Sequence, residues 1–231
     1  MKKQIEVREI TTERTLVLIK PDAVMRGLVG QILQRFEQVG LKIVAMKFLK
    51  VTQEQLDKHF PQSEEWVKGM GQKSSEFLLT QDIDPIKIFG TRDPKKIGLK
   101  IKDWNYDYLL MGPVIAIVFE GIHAVEIVRK LVGQTLPCYA NPGTIRGDFS
   151  LNAPDIASML KSTCQNLIHA SDSTKEAQRE IECWFTQEEL VSWQRPDEIL
   201  LLGKKHQTSK KKGGKNGNRG HKKTEKKTQQ P

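Results

Sequence analysis

The residues of this chain best suited to chemistry lie together in Asn166-Leu167-Ile168-His169-Ala170-Ser171-Asp172-Ser173, where a short apolar run delivers a histidine into a polar, helix-starting sequence. At neutral pH an imidazole can serve as base or nucleophile. Ser173 and Glu176 have the spacing of a capping box, which predicts a helix from about Ser173 whose unpaired N–H groups would lie near His169 and attract phosphate. If that helix runs on through "TKEAQREIECWF", then Ala177, Ile181 and Trp184 form its buried stripe, and Glu180 falls on the same side. A carboxylate there can orient a nearby imidazole, fixing its tautomer and leaving one ring nitrogen free to attack. Two structural readings stand beside this one: a strand-end histidine hydrogen-bonded for stability, and a glutamate that reaches solvent at the edge of the stripe.

Three other stretches offer groups suited to phosphate. Lys20 stands at the mouth of the apolar strand Thr15–Ile19, just before Pro21-Asp22. Its ammonium can reach phosphate oxygens as a point charge, or it simply marks where the strand meets water. Arg129 lies beside the inner stripe Val125, Val128 and Leu131 of a helix that Gly133 ends. The loop "QTLPCYANPGTIRGDFS" carries Thr135, Arg146 and Asp148, and its arginine and hydroxyl form either a phosphate clamp or part of a solvated loop. By contrast, Gly69-Met70-Gly71-Gln72-Lys73-Ser74 lacks the adjacent Gly-Lys of a P-loop and follows no buried strand, so it receives no phosphate role.

The elements that must position these groups follow from periodicity. The strand at 15–19 is followed by a helix with Val29, Ile32, Leu33, Phe36 and Val39 on one face and Gly40 as its stop. A second strand spans 41–51, and "TQEQLDKHF" reads as a short helix capped by Thr52 and Gln55. From Pro61 to about Met111 no periodicity is sustained, and glycines at 69, 71, 90 and 98 with prolines at 85 and 94 suggest an insertion, with some helix near "SEEWVKGM", or a mobile lid. "VIAIVFEG" is the third strand, "NLIH" the fourth, and 173–185 the fourth main helix. Thr186 and Glu189 then suggest a terminal helix through "QEELVSW". Right-handed crossovers joining the strands in pairs predict an α+β fold, a ferredoxin-like split βαβ sandwich with a four-stranded antiparallel sheet backed by helices.

The chain has 231 residues and a formal charge of +9, which divides sharply near Leu202. From Gly203 to Pro231 there are eleven Lys or Arg and one acid, while the body before it holds 26 basic and 27 acidic residues. The body is thus not a general nucleic-acid-binding surface. The tail has no aliphatic or aromatic residue; it is expected to be disordered and to act either as an electrostatic arm for RNA, DNA or another polyanion, or as a solubilising extension. His206 and His221 have no partners at metal-ligand spacing. Cys138, Cys164 and Cys183 are odd in number and show no Cys-x-x-Cys, which argues against a disulfide scaffold or zinc site and favours a reducing cytoplasm. No stretch approaches the roughly twenty apolar residues of a membrane span, and the N-terminus has no signal-peptide core.

Taken together, Glu13-Arg14-Thr15, Lys20-Pro21-Asp22, "RGLVGQILQRFEQVGLKIVAMKF", "GPVIAIVFEG", "PGTIRGDF", "NLIHASDS" and "EIECWFTQEELVSW" resemble the nucleoside diphosphate kinase family, in order and across most of residues 1–202. The resemblance implies ping-pong transfer of the γ-phosphate from a nucleoside triphosphate, usually ATP, to a nucleoside diphosphate through a phosphohistidine. It implies His169 as nucleophile, Glu180 as the group orienting it, and Ser171 hydrogen-bonded beside it. Lys20, Arg129, Thr135, Arg146 and Asn166 fall on positions that hold phosphates and ribose, with Mg²⁺ bridging phosphate oxygens rather than bound by protein ligands. The family assembles as hexamers or tetramers.

Two departures qualify the match. The segments at about 61–111 and about 151–162 are longer than usual, and the first lies where the family clamps the base. Phe60 stands where a tyrosine is common, and Trp104 is one candidate for the base-stacking aromatic. The alternative reading keeps the fold as a nucleotide-binding scaffold whose basic tail binds nucleic acid.

Overall fold

Thr15 to Ile19 are all fully buried in the strand β1 (Glu13–Ile19), and this continuous apolar run requires cover on both faces of the sheet. The computed structural model describes residues 12–198 and Leu200, so the Lys-rich tail and its expected disorder lie outside the described residues. The chain divides into one unit from Met1 to Trp193 and a second from Gln194 to Pro231. In the second, Arg195 pairs with Asp197 at 2.7 Å. Among the described residues no helix is long and apolar enough to cross a membrane.

In the first unit β1 is followed by α1 (Pro21–Met25), α2 (Val29–Gln38), β2 (Lys42–Lys50) and α3 (Gln53–His59). Then come α4 (Glu64–Thr80), α5 (Pro85–Phe89), α6 (Pro94–Leu110), β3 (Pro113–Gly121) and α7 (Ala124–Val132). A 3₁₀ turn at Pro137–Tyr139, α8 (Ile145–Phe149), α9 (Pro154–Met159), β4 (Ile168–Ala170) and α10 (Thr174–Trp184) complete the order. The sheet runs β2-β3-β1-β4, and every neighbouring pair is antiparallel. This is the α+β, ferredoxin-like arrangement. Val17, Ile19, Ile117 and Phe119 pack on one face with Ile32, Phe36 and Val128 from α2 and α7. Leu16, Leu18, Ala116 and Val118 pack on the other with Ile181 and Trp184 of α10 and with Tyr106 and Leu109 at the end of α6.

Between residues 61 and 111 the helix expected near "SEEWVKGM" is present as the start of α4, but the segment as a whole is far more regular than its broken periodicity suggests. α4 and α6 are two helices of 17 residues each, with a small core of Leu78, Phe89 and Ile97. The prolines and glycines that read as breakers are start and stop signals. Pro85 and Pro94 sit in first turns, where Asp84 and Asp93 cap by accepting from Ile86 N at 3.0 Å and Lys95 N at 2.9 Å, and Gly90 ends α5 at φ +69°. Gly71 and Gly98 are the contact between the helices: a Cβ at Gly71 would lie 2.0 Å from Pro94 O, and one at Gly98 2.0 Å from Val67 O.

The terminal helix is also corrected. The Thr186–Glu189 capping box forms, but it supports only a 3₁₀ turn at Gln187–Glu189. The chain beyond it is drawn along the open edge of β2, beside the register shift between Ile43 and Ala45. Val191 N donates to Val44 O at 2.8 Å and Trp193 Nε1 to Ile43 O at 2.8 Å. Backbone groups satisfied by an edge strand cannot also close a helix.

Gly98→Ala forces a methyl into the Val67 carbonyl, so the helix pair must part. Urea unfolding is expected to show a loss of about 1–3 kcal/mol, with Gly69→Ala, where the space is open, nearly neutral. Equal stability of the two variants would exclude this account.

Candidate active site

The fourth strand begins two residues later than the periodicity suggests, because Asn166 and Leu167 belong to a tight turn. Leu167 has φ +68°, and Ile168 N donates to Asn166 O at 2.7 Å, the geometry of a γ-turn with a strained central residue. Surrounding groups hold it in place. Leu167 N donates to Asp22 Oδ2 at 3.2 Å, and Lys20 N donates to Leu167 O at 2.9 Å. Tyr108 Oη, delivered by α6, donates to Asp22 Oδ1 at 2.6 Å. Arg146, on α8, donates to three carbonyls: Asn166 O at 3.1 Å, Ile168 O at 2.6 Å and Gly133 O at 3.0 Å.

His169 follows on β4, opposite Leu18. Its Nε2 lies 2.9 and 3.0 Å from the two oxygens of Glu180, which α10 holds at 3% exposure beside Ala177, Ile181 and Trp184. Ser171 Oγ donates to Glu180 Oε2 at 2.6 Å. Burial works against the Glu180 charge, but the hydrogen bond and charge of His169, His59 nearby and the Ser171 hydroxyl overcome it and hold the carboxyl below its usual value. An ionised carboxylate can only accept, so the His169 proton sits on Nε2 and the lone pair on Nδ1. Ser173 caps α10 through Glu176 N at 3.1 Å; the Glu176 side chain pairs with Arg179 instead of completing a capping box.

The pattern of residues did not reveal His59. It packs edge-on against His169, with ring centroids 4.7 Å apart, and Trp184 Nε1 donates to its Nδ1 at 3.3 Å. Burial first, and then the neighbouring His169, push its pKa down to about 3, so the ring is neutral. Asp22 and Tyr108 were likewise missed as site residues. Asp22 lay in view within Lys-Pro-Asp, whereas Tyr108 sits in the stretch without legible periodicity.

Beside His169 a cleft of about 520 Å³ is lined by Lys20, Arg129, Thr135, Tyr139, Arg146 and Asn166, so the structure brings together all the phosphate candidates. Asn166 links two of them, accepting from Lys20 Nζ at 2.7 Å and donating to Thr135 O at 2.9 Å. Burial lowers the Lys20 pKa to about 7, with Arg146 adding to the effect, and burial lowers Arg146 to about 10. Arg129 is exposed and has no ion pair among the described residues. Among the described residues no carboxylate lines the cleft, and Asp148 is engaged elsewhere with Arg35. Phe60 and Trp104 line a neighbouring chamber that also reaches Lys20 and Asn166. Phe60 stacks on Tyr106 with centroids 5.6 Å apart, and Trp104 on Phe89 at 5.4 Å.

A buried carboxylate fixing a histidine beside a cluster of cations is an arrangement for a nucleophile and a polyanionic substrate. Comparison with known proteins agrees. The family model for nucleoside diphosphate kinase matches residues 13–70 and 103–190. A nucleoside diphosphate kinase of Pyrobaculum aerophilum is 50% identical over 179 residues, covering 78% of this chain and 98% of that protein. One from Pyrococcus horikoshii is 41% identical over 186 residues, 80% of this chain and 92% of that protein. Among solved structures, an NDP kinase from Pyrobaculum aerophilum superposes with a TM-score of 0.76 at 48% identity, over 79% of this chain and all of that one. A transition-state mimic of nucleoside-diphosphate kinase from Borrelia burgdorferi, with bound vanadate and ADP, gives 0.63 at 35% identity over 82% and 96%. On the strength of both the matched motifs and the shared fold, this chain belongs to the nucleoside diphosphate kinase family.

Proposed function

We infer that the chain is a nucleoside diphosphate kinase that carries the γ-phosphate from a nucleoside triphosphate to a nucleoside diphosphate on Nδ1 of His169. The observation that carries this reading is the two-oxygen contact of Glu180 with His169 Nε2, which leaves Nδ1 as the attacking nitrogen. In the first half-reaction the Nδ1 lone pair forms a bond to the γ-phosphorus, and the bond from that phosphorus to the β–γ bridging oxygen breaks. The departing diphosphate keeps the electron pair. In the second, a terminal oxygen of the acceptor diphosphate attacks the phosphorus, and the P–N bond returns its electrons to the imidazole. No proton need move: the proton stays on Nε2, donated in a hydrogen bond to Glu180, whose charge balances the positive ring of the phosphohistidine.

Lys20, Arg129 and Arg146 neutralise oxygen charge, and Thr135 and Asn166 position phosphate and ribose. Three of the five N–H groups of Arg146 serve the carbonyls around the turn, so it both builds the site and contributes charge. Ser171 acts through Glu180. Phe60 borders the nucleoside end. A divalent metal, Mg²⁺ in this reading, would travel with the nucleotide: no carboxylate lines the cleft, and the nearest donor set, His59, His169 and Glu180, is nitrogen-rich and already hydrogen-bonded. Such a metal would supply further positive charge to the transferring phosphate, beside that of Lys20, Arg129 and Arg146. Assembly as a hexamer or tetramer, and contact of the tail with a polyanion, belong to the same reading; eleven basic residues between Gly203 and Pro231 support the second.

Incubation with γ-labelled ATP is expected to give an acid-labile, base-stable phosphoprotein that passes its label to a nucleoside diphosphate. His169→Ala should abolish labelling, and Glu180→Gln should slow it about 10- to 100-fold, the worth of one charged hydrogen bond. A wild type that takes no label would sink the reading. Lys20 supplies a pH test. With its pKa lowered to about 7 it is largely neutral at pH 8.5, where the nucleotide phosphates are already ionised, and a bound polyphosphate favours the charged form, so binding at that pH should take up close to one proton. Calorimetric titrations in two buffers of different ionisation enthalpy measure this uptake, and none at pH 8.5 would contradict the role. Removing residues 203–231 should abolish salt-sensitive retention on immobilised RNA while transfer continues; unchanged retention would count against the tail.

A further inference from the structure

His59 is a buried imidazole that the mechanism leaves without a task, although its ring lies against that of the nucleophile. It is the last residue of α3, and α10 holds it at two points. Arg179 donates to the Lys58 and His59 carbonyls, each at 2.8 Å, and Trp184 Nε1 donates to His59 Nδ1 at 3.3 Å. Glu180 lies between these two residues on the same helix. One helix therefore sets both the carboxylate and the second imidazole against His169.

Glu180 alone does not fix the His169 ring. β4 anchors the base of the side chain and the carboxylate anchors Nε2, and these two points define an axis about which the ring can still turn. The Nδ1 lone pair lies in the ring plane, so its direction turns with the ring. In-line attack on phosphorus requires that direction to be held. The His59 ring stands at 86° to the plane of His169 with centroids 4.7 Å apart, and it blocks this rotation on the side it occupies.

Resting on the phosphotransfer reading above, we propose that His59 is a positioning residue that sets the plane of the His169 ring, and with it the direction of the attacking lone pair. Its protonation suits the task. Because Nδ1 accepts from Trp184, the His59 proton is on Nε2 and the ring is neutral. Nδ1 lies 3.8 Å from Glu180 Oε1, two acceptors with no proton between them, so His59 does not compete for the carboxylate. Glu180 selects the nitrogen that attacks, and His59 selects where it points.

The test separates the ring of His59 from its bond to Trp184. Full-length protein is mixed with γ-labelled ATP at a series of concentrations and quenched rapidly, which gives the saturated rate of phosphorylation and the affinity for ATP separately. His59→Asn keeps an acceptor for Trp184 but has no ring; its saturated rate is expected to fall about 10- to 100-fold while ATP affinity stays within about 2-fold. His59→Phe keeps a ring but leaves the Trp184 indole N–H unbonded; it should melt at a lower temperature than wild type yet phosphorylate within about 5-fold of it. A role confined to the Trp184 bond reverses this order. A wild-type rate in His59→Asn, or a His59→Phe as slow as His59→Asn, would overturn the proposal and leave the phosphohistidine reading intact, whereas a wild type that takes no label removes both. NMR of nitrogen-labelled histidine in the wild type decides the matter if a variant fails to fold: both rings should carry their proton on Nε2, and a His59 protonated on Nδ1 would be a donor to Glu180 and would overturn the role.

Discussion

The backbone at Leu167 is the constraint on which the rest of the site depends. A leucine at φ +68° carries a conformational cost of about 1–3 kcal/mol and persists only where its surroundings over-determine it. Here they come from distant parts of the chain: Asp22 after β1, Tyr108 from the end of α6, and Arg146 from α8. Because the turn directs the Asn166 amide toward Lys20 and Thr135 and starts β4 at Ile168, one strained residue sets both the phosphate grip and the position of His169. The sheet supplies the platform, and the turn supplies the aim.

Charge is distributed around that turn in two separated groups. Glu180 and Asp22 are buried and fully engaged, one with His169 and Ser171, the other with Tyr108 and the Leu167 amide. Arg146 is buried and Lys20 partly so, and burial depresses both without a carboxylate bonded to either. The free protein therefore holds its cations in an unfavourable state that a polyphosphate relieves. This is electrostatic preorganisation: the groups are already placed where charge will arrive, so little reorganisation accompanies transfer.

Much of this was legible in the sequence, and the failures have particular causes. The β1 run, the α2 stripe from Val29 to Phe36 and the Ala177-Glu180-Ile181-Trp184 face read correctly because each buries a regular apolar pattern, while Val39, placed on the α2 stripe, is the exposed C-cap of that helix. The start of α4 is legible near "SEEWVKGM", whereas its full length and α6 are not, because the two helices pack through Gly71 and Gly98, where close backbone approach replaces large side chains, and because first-turn prolines look like breakers without their Asp caps. The terminal helix was overcalled: its capping box is real, but β2 competes for the same backbone. The site residues that carry chemistry stood in motifs, whereas His59 and Tyr108 take their places from tertiary packing alone, which no local spacing encodes.

Arg146 has a second consequence for the sheet. β4 is an edge strand of three residues, and its bonds to β1 alternate, with Leu167 O and Ser171 N turned inward. Ile168 between them faces outward, where an unpaired edge would invite another strand. Its N–H is closed by the γ-turn and its carbonyl by the guanidinium of Arg146. A planar side chain thus takes the place of a neighbouring strand at Ile168, the residue just before the reacting histidine. The border that protects the fold from edge-to-edge association and the border that faces substrate are the same few atoms.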